Sequence, residues 1–319
     1  MEKILVTGSC GFIGMHLCKD LLKNGYEVLG VDNMNDYYDP VLKMNRLEQI
    51  SVYDNFSFIE LNISNYSQLS NAFSNYKPDK VVNLAAQAGV RYSLENPHAY
   101  VETNISGFMN ILECCRYNKV KGLIYASSSS VYGGNKQNSF SIEDRVDKPI
   151  SIYAASKKAN ELMAHTYNHL YGLNTTGLRF FTVYGPWGRP DMAMYIFTDK
   201  IRNGEKISVF NHGNMKRDFT YIDDIVNGIK ASIEKNYSYE IFNLGNNRCE
   251  NIMDVIDYIE KELDIEAEIN FKDIQPGDIE KTFANISNAK KKLNFEPKTN
   301  IQEGVPKFIQ WYKSYYKIP

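Results

Sequence analysis

Short apolar runs of strand length alternate with longer amphipathic stretches through the first half of the chain. Runs of this kind, bounded by turn residues, are typical of the buried strands of a parallel sheet. Between the first two runs, residues 12–24 predict a helix because Phe12, Leu17 and Leu21 fall on one stripe. Alternating strands and helices predict an α/β fold with a doubly wound parallel sheet. The predicted strands cover residues 4–7, 27–31, 56–61, 80–84, 122–126, 175–180 and 241–244.

The pattern changes after Tyr184, where Pro186, Gly188 and Pro190 interrupt it and longer polar segments follow. The run at residues 241–244 nevertheless has the character of a buried strand. We therefore expect the chain to leave a large dinucleotide-binding domain and re-enter it. The predicted ranges are 1–185 and 216–247 for that domain, and 186–215 and 248–319 for a smaller C-terminal α/β substrate domain.

Composition indicates a globular protein, since 43% of the 319 residues are hydrophobic and 13% are aromatic. The 36 basic and 38 acidic residues give a net charge of −2, which argues against a nucleic-acid partner. No apolar stretch approaches the ~20 residues of a membrane helix. The five cysteines include no C-x-x-C pair, and no signal peptide opens the chain. We therefore expect a cytoplasmic protein without a membrane partner.

Three glycines follow the first predicted strand in a G-x-x-G-x-x-G arrangement, at Gly8, Gly11 and Gly14. Glycines there permit a tight turn and a close approach of the backbone to a pyrophosphate. The N-terminus of the following helix offers free N–H groups and a favourable dipole. The motif predicts a dinucleotide site that also includes Phe12 and Ile13.

Asp32 ends the second predicted strand, where its carboxylate can accept hydrogen bonds from ribose hydroxyl groups. It would repel a 2′-phosphate, so the sequence predicts NAD rather than NADP as the cofactor. Further cofactor contacts are expected directly after the second, third and fourth strands. These residues are Asn33, Asn62, Ile63, Leu84, Ala85 and Ala86.

Tyr153 and Lys157 lie four residues apart and share one face of a predicted helix. A free tyrosine has a pKa of about 10, but a nearby ammonium and the positive nicotinamide ring favour the phenolate. Tyr153 can then take a hydroxyl proton while hydride leaves the same carbon. Ser128 and Ser130 follow another strand at the sheet edge where ligands bind, and they can hydrogen-bond the reacting sugar oxygen.

Four segments together resemble extended short-chain dehydrogenases that act on nucleotide sugars, and the resemblance runs nearly end to end. They are residues 7–14, 83–86, 128–133 and 153–157. The resemblance implies a Rossmann-type domain with bound NAD and a C-terminal domain that holds the nucleotide diphosphate. It also implies that Tyr153 is the base, that Lys157 is its partner and that Ser128 orients the 4-hydroxyl group. Ser130 matches a neighbouring hydroxyl position, and Asn104 is placed among the cofactor contacts.

The sequence departs from the family pattern at two places, Asn62 and Gln87, where many members carry aspartate and histidine. Another difference concerns the reaction. Dehydratases and decarboxylases of this superfamily carry an acid before the Val-Tyr-Gly of the strand-end motif, whereas this chain has Ser129 and Ser130. Without that acid, the simplest outcome of oxidation at C4 is rotation of the ketone and return of hydride to its other face.

Three longer strings, residues 33–40, 87–93 and 188–193, resemble UDP-glucuronate 4-epimerases. A uronate needs a cation for its carboxylate, and guanidinium binds carboxylate in bidentate fashion. Arg189, together with Thr182, is the first candidate, and Arg91 is the second.

The resemblance also assigns the nucleotide end of the substrate. It implies that Arg217, within residues 216–221, binds the diphosphate and that Asp278, within residues 275–278, lies near a ribose hydroxyl. Many galactose epimerases have arginine where Gln275 stands, so the phosphate contacts can differ.

Several alternatives stay open. A 4-epimerase of UDP-glucose or UDP-N-acetylglucosamine fits the same motifs, whereas Ser130 disfavours a UDP-glucuronate decarboxylase. A non-catalytic NAD sensor is disfavoured by the intact serine, tyrosine and lysine set. No metal is expected, because His165 and His169 have no third ligand. The resemblance suggests a homodimer built from helices near residues 98–117 and 152–171.

Overall fold

A seven-stranded parallel sheet forms the centre of the molecule in the computed structural model, which describes residues 1–135, 139–274 and 281–318. The strands of the described chain are β1 Lys3–Thr7, β2 Glu27–Asp32, β3 Phe56–Glu60, β4 Lys80–Asn83, β5 Gly122–Ser128, β6 Thr175–Phe180, β7 Thr182–Tyr184, β8 Ile207–Phe210, β9 Lys216–Arg217, β10 Phe219–Tyr221, β11 Tyr239–Leu244, β12 Glu250–Asn251, β13 Ile269–Lys272 and β14 Lys281–Thr282.

The strand order in the large sheet is β11-β6-β5-β4-β1-β2-β3. All its neighbouring strands are parallel, so every connection crosses over the sheet. The order reverses between β1 and β4, which creates a crevice at the carboxyl ends of these strands. The predicted doubly wound fold is confirmed, and all seven predicted strands are present in this sheet.

Helices cover both faces of the sheet. They are α1 Phe12–Lys23, α2 Pro40–Ser51, α3 Tyr66–Tyr76, α4 Tyr92–Glu95, α5 Pro97–Tyr100, α6 Phe108–Tyr117, α7 Ile152–Tyr171, α8 Ala193–Arg202, α9 Ile222–Lys235, α10 Ile252–Leu263, α11 Ser287–Leu293 and α12 Ile301–Tyr315. A π-helix, Val101–Gly107, leads into α6, and short 3₁₀ turns occupy Ser129–Tyr132 and Asn211–Gly213. None of the helices in the described ranges is long and apolar enough to cross a bilayer.

Alternate residues of the central strands enter two separate cores. Ile4 and Val6 pack on one face with α1 and α9, whereas Leu5 packs on the other with Phe73 of α3 and Phe108 of α6. Each of these central strands therefore buries both of its faces, which explains why it forms a continuous apolar run in the sequence and not an alternating one.

Local sequence fixes both ends of α7, the helix that carries Tyr153 and Lys157. The Ser151 side chain accepts a hydrogen bond from the backbone N–H of Ala154 at the N-terminus. Gly172 ends the helix with a φ of 67°, a conformation that glycine adopts without the steric cost of a Cβ atom. The two caps therefore define the limits of this helix.

The segments after β7 form smaller sheets beside the large one. β10 pairs with β7, β9 pairs with β12 and β14, and β13 pairs with β8. Helix α12 packs against α10 and closes this side of the molecule with an aromatic cluster. The cluster comprises Trp187, Tyr195, Phe308, Trp311, Tyr312, Tyr315 and Tyr316.

Candidate active site

A cavity of about 360 Å³ lies in the crevice where the strand order reverses. Of the residues predicted from sequence for the cofactor or the reaction, the great majority line this cavity. They are Gly8, Gly11, Phe12, Ile13, Gly14, Asp32, Asn33, Asn62, Ile63, Leu84, Ala85, Ala86, Ser128, Ser130, Tyr153, Lys157, Thr182 and Arg189. The fold thus brings together groups that are spread over most of the sequence.

The glycine turn between β1 and α1 has no room for side chains. Gly8 has a φ of 71°, and a Cβ atom there would lie 2.8 Å from the backbone nitrogen of Ala85. A Cβ atom at Gly14 would lie 2.0 Å from the carbonyl oxygen of Gly8. The backbone N–H of Gly11 donates to that same oxygen over 3.0 Å. This packing leaves the N-terminus of α1 open to the cavity, where its free N–H groups can bind a phosphate.

The carboxylate of Asp32 lies buried at the carboxyl end of β2. It accepts hydrogen bonds from the backbone N–H groups of Cys10 and Met34, each over 3.0 Å. Burial raises the pKa of this carboxyl, while the positive charge of Lys43 and the two N–H groups act in the opposite direction. Each carboxylate oxygen can accept a second hydrogen bond, so Asp32 can bind the two ribose hydroxyl groups of a dinucleotide.

Tyr153 and Lys157 face the cavity from α7. The Lys157 ammonium donates to the carbonyl oxygen of Ala126 over 2.8 Å and lies 6.0 Å from the centre of the Tyr153 ring. Burial lowers the pKa of Lys157 to about 8. Burial also raises the pKa of the Tyr153 hydroxyl, whereas a hydrogen bond with Ser128 and the positive charge of Arg189 lower it. The geometry is that of a tyrosine base assisted by a serine and by cations.

A buried ion pair supports the end of β5 and the serine-rich turn Ser129–Tyr132 that follows it. Ser127 donates to Glu161 over 2.7 Å, and Glu161 forms a bidentate pair with Arg179 at 2.8 and 2.9 Å. The Ser128 hydroxyl accepts a hydrogen bond from the backbone N–H of Ser130 over 3.1 Å. Because Glu161 lies one helical turn after Lys157, the same helix fixes both the cation and the serine turn.

The two arginine candidates for a substrate carboxylate lie in different places. Arg189 lines the cavity and pairs with Asp191, with 3.0 Å between Nε and Oδ1. Arg91 is exposed, and its guanidinium lies over the ring of Phe210, 5.6 Å from the ring centre. Arg91 is absent from the cavity lining, so the geometry favours Arg189 over Arg91.

Two other predicted site residues, Asn104 and Arg217, are not part of the cavity lining. Asn104 is buried in the π-helix, where its side chain bonds the backbone N–H and carbonyl of Gln87 at 2.8 and 3.0 Å. It therefore supports the loop after β4, whose residue Gln87 lines the cavity, and its contact with the cofactor stays a prediction. Arg217 lies on β9, and its Nη1 donates to the carbonyl of Lys216 over 3.0 Å. Asp278 lies outside the described residues.

Sequence reasoning assigned no role to Arg46 of α2, which is 0% exposed. Its guanidinium donates to the carbonyl oxygens of Cys10, Gly188 and Trp187 and so joins the cofactor turn to the segment before Arg189. The sequence does contain a signal for Arg46, because this residue lies four positions from both Leu42 and Ile50 and therefore in the buried stripe of its helix. A cation in such a stripe indicates a specific acceptor in the interior.

A family model for the NAD dependent epimerase/dehydratase family matches residues 4–245 of the chain. The chain belongs to this family. The match covers β1 through β11, and so the whole of the large sheet and the cavity that it forms. This confirms the predicted family and also the predicted use of NAD, for which the glycine turn and the carboxylate of Asp32 provide matching chemistry.

Similarity to individual family members extends over nearly the whole chain. UDP-glucuronate 4-epimerase 4 of Arabidopsis thaliana is 47% identical, over 98% of this chain and 76% of that protein. The solved structure of UDP-glucuronic acid 4-epimerase from Bacillus cereus, in complex with UDP-glucuronic acid and NAD, has a TM-score of 0.92 and is 36% identical, covering 98% and 100% of the two chains. That of UDP-glucose 4-epimerase from Thermotoga maritima, with UDP-glucose, has a TM-score of 0.90 and is 32% identical, covering 98% and 99%.

Among the described residues, no group of three or more histidine, cysteine, aspartate or glutamate side chains is arranged to hold a metal ion. His165 instead packs edge-on against the ring of Tyr239, 5.0 Å between ring centres.

Proposed function

We propose that the protein is a UDP-sugar 4-epimerase that converts UDP-glucuronate into UDP-galacturonate through a 4-keto intermediate. The observation that carries this proposal is the position of Arg189. A guanidinium lines the same cavity as Tyr153, Ser128 and Asp32, where a substrate carboxylate can reach it. The similarity to UDP-glucuronate 4-epimerases of a plant and a bacterium supports the same substrate.

The first step is removal of the proton from the C4 hydroxyl of the sugar. Tyr153 accepts this proton as a phenolate, which the ammonium of Lys157 and the charge of Arg189 stabilise. Ser128, hydrogen-bonded to Tyr153, orients the same sugar oxygen. Bound NAD supplies the hydride acceptor that makes oxidation at C4 possible.

The second step is reduction of the ketone from its opposite face after the sugar has rotated. Tyr153 then returns the proton to the C4 oxygen, so the protein is unchanged after each turnover. The strand-end turn presents Ser129 and Ser130 where related dehydratases and decarboxylases carry an acid. No carboxylate in that turn promotes proton transfer at C5, and this favours epimerisation.

The rest of the substrate extends toward the smaller sheets. We propose that Thr182 at the start of β7 assists Arg189 with the carboxylate, since both residues line the cavity. Arg217 on β9 and Asp278 remain the proposed diphosphate and ribose ligands. In this proposal residues 1–185 and 216–247 form the NAD domain, and residues 186–215 and 248–319 bind the UDP-sugar.

Turnover of a neutral UDP-hexose is the second candidate activity, and the similarity to UDP-glucose 4-epimerase of Thermotoga maritima favours it. A neutral sugar would leave the Arg189 guanidinium paired only with Asp191. The two candidates therefore differ in whether the substrate supplies a carboxylate to Arg189.

Proton NMR of UDP-glucuronate incubated with enzyme and NAD separates the candidates. Signals of UDP-galacturonate without a pentose product support uronate epimerisation, and the Tyr153→Phe variant serves as the inactive control. A UDP-pentose product would identify a decarboxylase. Conversion of UDP-glucose with UDP-glucuronate left intact would establish the neutral-sugar activity instead.

We also propose that the enzyme is a homodimer. Large apolar side chains are exposed on α7 and on the helical segment of residues 98–117. These two elements pack against each other. Among them Leu162 is 58% and Leu170 59% exposed, and a second copy of the same face would bury them. Sedimentation velocity should give a dimer, and Leu162→Glu should shift it toward the monomer; a monomeric wild-type protein would contradict the proposal.

A further inference from the structure

We propose that Asp191 is an internal counter-ion that sets the affinity and selectivity of the site for a uronate, because it shares the guanidinium of Arg189 with the substrate carboxylate. The inference rests on the proposed function, which assigns that carboxylate to Arg189. Asp191 lies outside the residues that line the cavity, two positions after Arg189 in the chain. It is therefore a specificity-determining residue that acts through another residue.

The ion pair occupies one edge of the guanidinium. Nε of Arg189 donates to Oδ1 of Asp191 over 3.0 Å, and Nη2 donates to Oδ2 over 2.5 Å. A guanidinium has five N–H donors, so this arrangement leaves both hydrogens of Nη1 and one hydrogen of Nη2. Nη1 donates to none of the described residues. The Nη1 and Nη2 end of the guanidinium can thus bind a second carboxylate while Asp191 occupies the edge formed by Nε and Nη2.

Asp191 is itself fixed by a third residue. The Tyr37 hydroxyl donates to Oδ2 of Asp191 over 3.2 Å. Burial, together with the charge of Asp191, raises the pKa of Tyr37 to about 12, so Tyr37 is a protonated donor at neutral pH. Gly89 packs closely against Tyr37, because a Cβ atom at Gly89 would lie 2.6 Å from the Tyr37 hydroxyl oxygen. The carboxylate is therefore held beside Arg189 by groups from two loops.

The charge balance has opposite consequences for the two substrate classes. With a uronate bound, two carboxylates share one guanidinium, and their repulsion lowers the affinity. Two unit charges ~6 Å apart, at the effective dielectric constant of about 20 typical of protein sites, interact strongly enough to change affinity by at least about tenfold. With a neutral sugar bound, Asp191 keeps the half-buried Arg189 guanidinium in an ion pair and so avoids a desolvated, unpaired cation. Asp191 therefore moderates uronate binding and permits neutral sugars to bind.

Isothermal titration of UDP-glucuronate and UDP-glucose into the NAD-loaded enzyme tests this role. We expect Asp191→Asn to bind UDP-glucuronate at least about tenfold more tightly, whereas its affinity for UDP-glucose stays equal or falls. Asp36→Asn is the matched control, since Asp36 is an exposed carboxylate on the same loop as Tyr37. That variant removes the same charge and should bind both ligands as the wild type does.

Three results overturn the inference: unchanged or weaker binding of UDP-glucuronate by Asp191→Asn, an equal gain for both ligands, or an equal gain in Asp36→Asn. Asp191→Ala provides a second substitution if the asparagine variant is poorly folded. Failure of the proposed function gives a different result, because the wild-type enzyme would then neither bind nor convert UDP-glucuronate.

Discussion

The guanidinium of Arg46 donates to the carbonyl oxygen of Trp187 through both Nε and Nη2, over 3.1 and 2.7 Å. Trp187 has a φ of 64°, a left-handed conformation that costs on the order of 1 kcal/mol in a bulky residue. Arg46 thus holds a strained turn immediately before Gly188 and Arg189. The position of Arg189, which we propose binds the substrate carboxylate, therefore depends on Arg46 of α2.

Replacement of Arg46 by methionine should affect both stability and uronate binding. It removes the buried hydrogen bonds to the 187–188 turn and leaves their carbonyl oxygens without donors, a cost of about 3 kcal/mol. We expect a lower melting temperature and a higher KM for UDP-glucuronate, measured by calorimetry and by initial rates. A KM equal to that of the wild type would contradict the link to Arg189.

Lys157 should destabilise the folded protein at neutral pH while it supports catalysis. Its folded-state pKa of about 8 lies below the unfolded value of 10.5, so the unfolded state binds more protons between these values. Below pH 8 the cost of burying the charged ammonium lowers the free energy of unfolding of the wild type by its full amount. This free energy increases as the pH rises toward 10.5. Lys157→Met has no such group. Its free energy of unfolding, relative to that of the wild type, should therefore fall by about 2 kcal/mol between pH 7 and pH 9.5.

Denaturant unfolding of both proteins at the two pH values measures that difference. Lys157→Met should also lower kcat by about 10²-fold or more, because the phenolate of Tyr153 loses its ammonium partner. A stability difference that does not change with pH would show that Lys157 is not desolvated.

Gly14→Ala should prevent NAD binding. The added methyl group would lie 2.0 Å from the carbonyl oxygen of Gly8, so the turn between β1 and α1 must shift. We expect a loss of stability of about 2 kcal/mol or more and no detectable NAD in fluorescence titrations. Gly134→Ala is the matched control, since a Cβ atom there has no neighbour within 4 Å. Normal NAD affinity of Gly14→Ala would exclude the turn as the pyrophosphate site.

Arg189→Ala should weaken binding of UDP-glucuronate by at least about tenfold, because the substrate carboxylate loses a charged hydrogen-bonding partner. The 4-keto intermediate is a β-keto acid, and we expect a carboxylate that is no longer held to leave as CO₂ in part of the turnovers. Proton NMR should then show a pentose product. Arg91→Ala should retain wild-type affinity, since Arg91 lies over Phe210 outside the cavity.

An unchanged affinity in Arg189→Ala together with a loss in Arg91→Ala would reverse the assignment of the two arginines. Such a result would place the substrate carboxylate beside Arg91, at the start of α4.

Local sequence alone predicted the parts of the molecule that depend on local chemistry. The central strands could be read as apolar runs because a strand inside a covered parallel sheet buries both of its faces. The glycine turn could be read because Gly8 and Gly14 lie where backbone atoms leave no space for Cβ. Tyr153 and Lys157 could be paired because a helix places residues four apart on one face.

Other features were decided by contacts between residues far apart in the chain, which no local pattern encodes. The choice between Arg91 and Arg189 required the positions of both loops relative to the cavity. The bonds of Asn104 to Gln87 and Ser156 join residues that are 17 and 52 positions apart. Arg46 meets its acceptors only after α2 has docked on the turn that contains Trp187.

The sequence by itself therefore determined the sheet, the glycine turn and the pairing of Tyr153 with Lys157 on one helix face, because these follow from periodicity and from backbone sterics within a few residues. Only the tertiary structure decided which arginine lines the cavity and which carboxylate pairs with it. Arg189 and Asp191 are near neighbours in sequence, yet Tyr37 reaches Asp191 from the loop after β2, and Arg46 of α2 holds the backbone of Trp187 and Gly188 just before Arg189. The direction of a side chain in a loop is fixed by its packing and by its ion pairs, and these contacts form only when the chain folds.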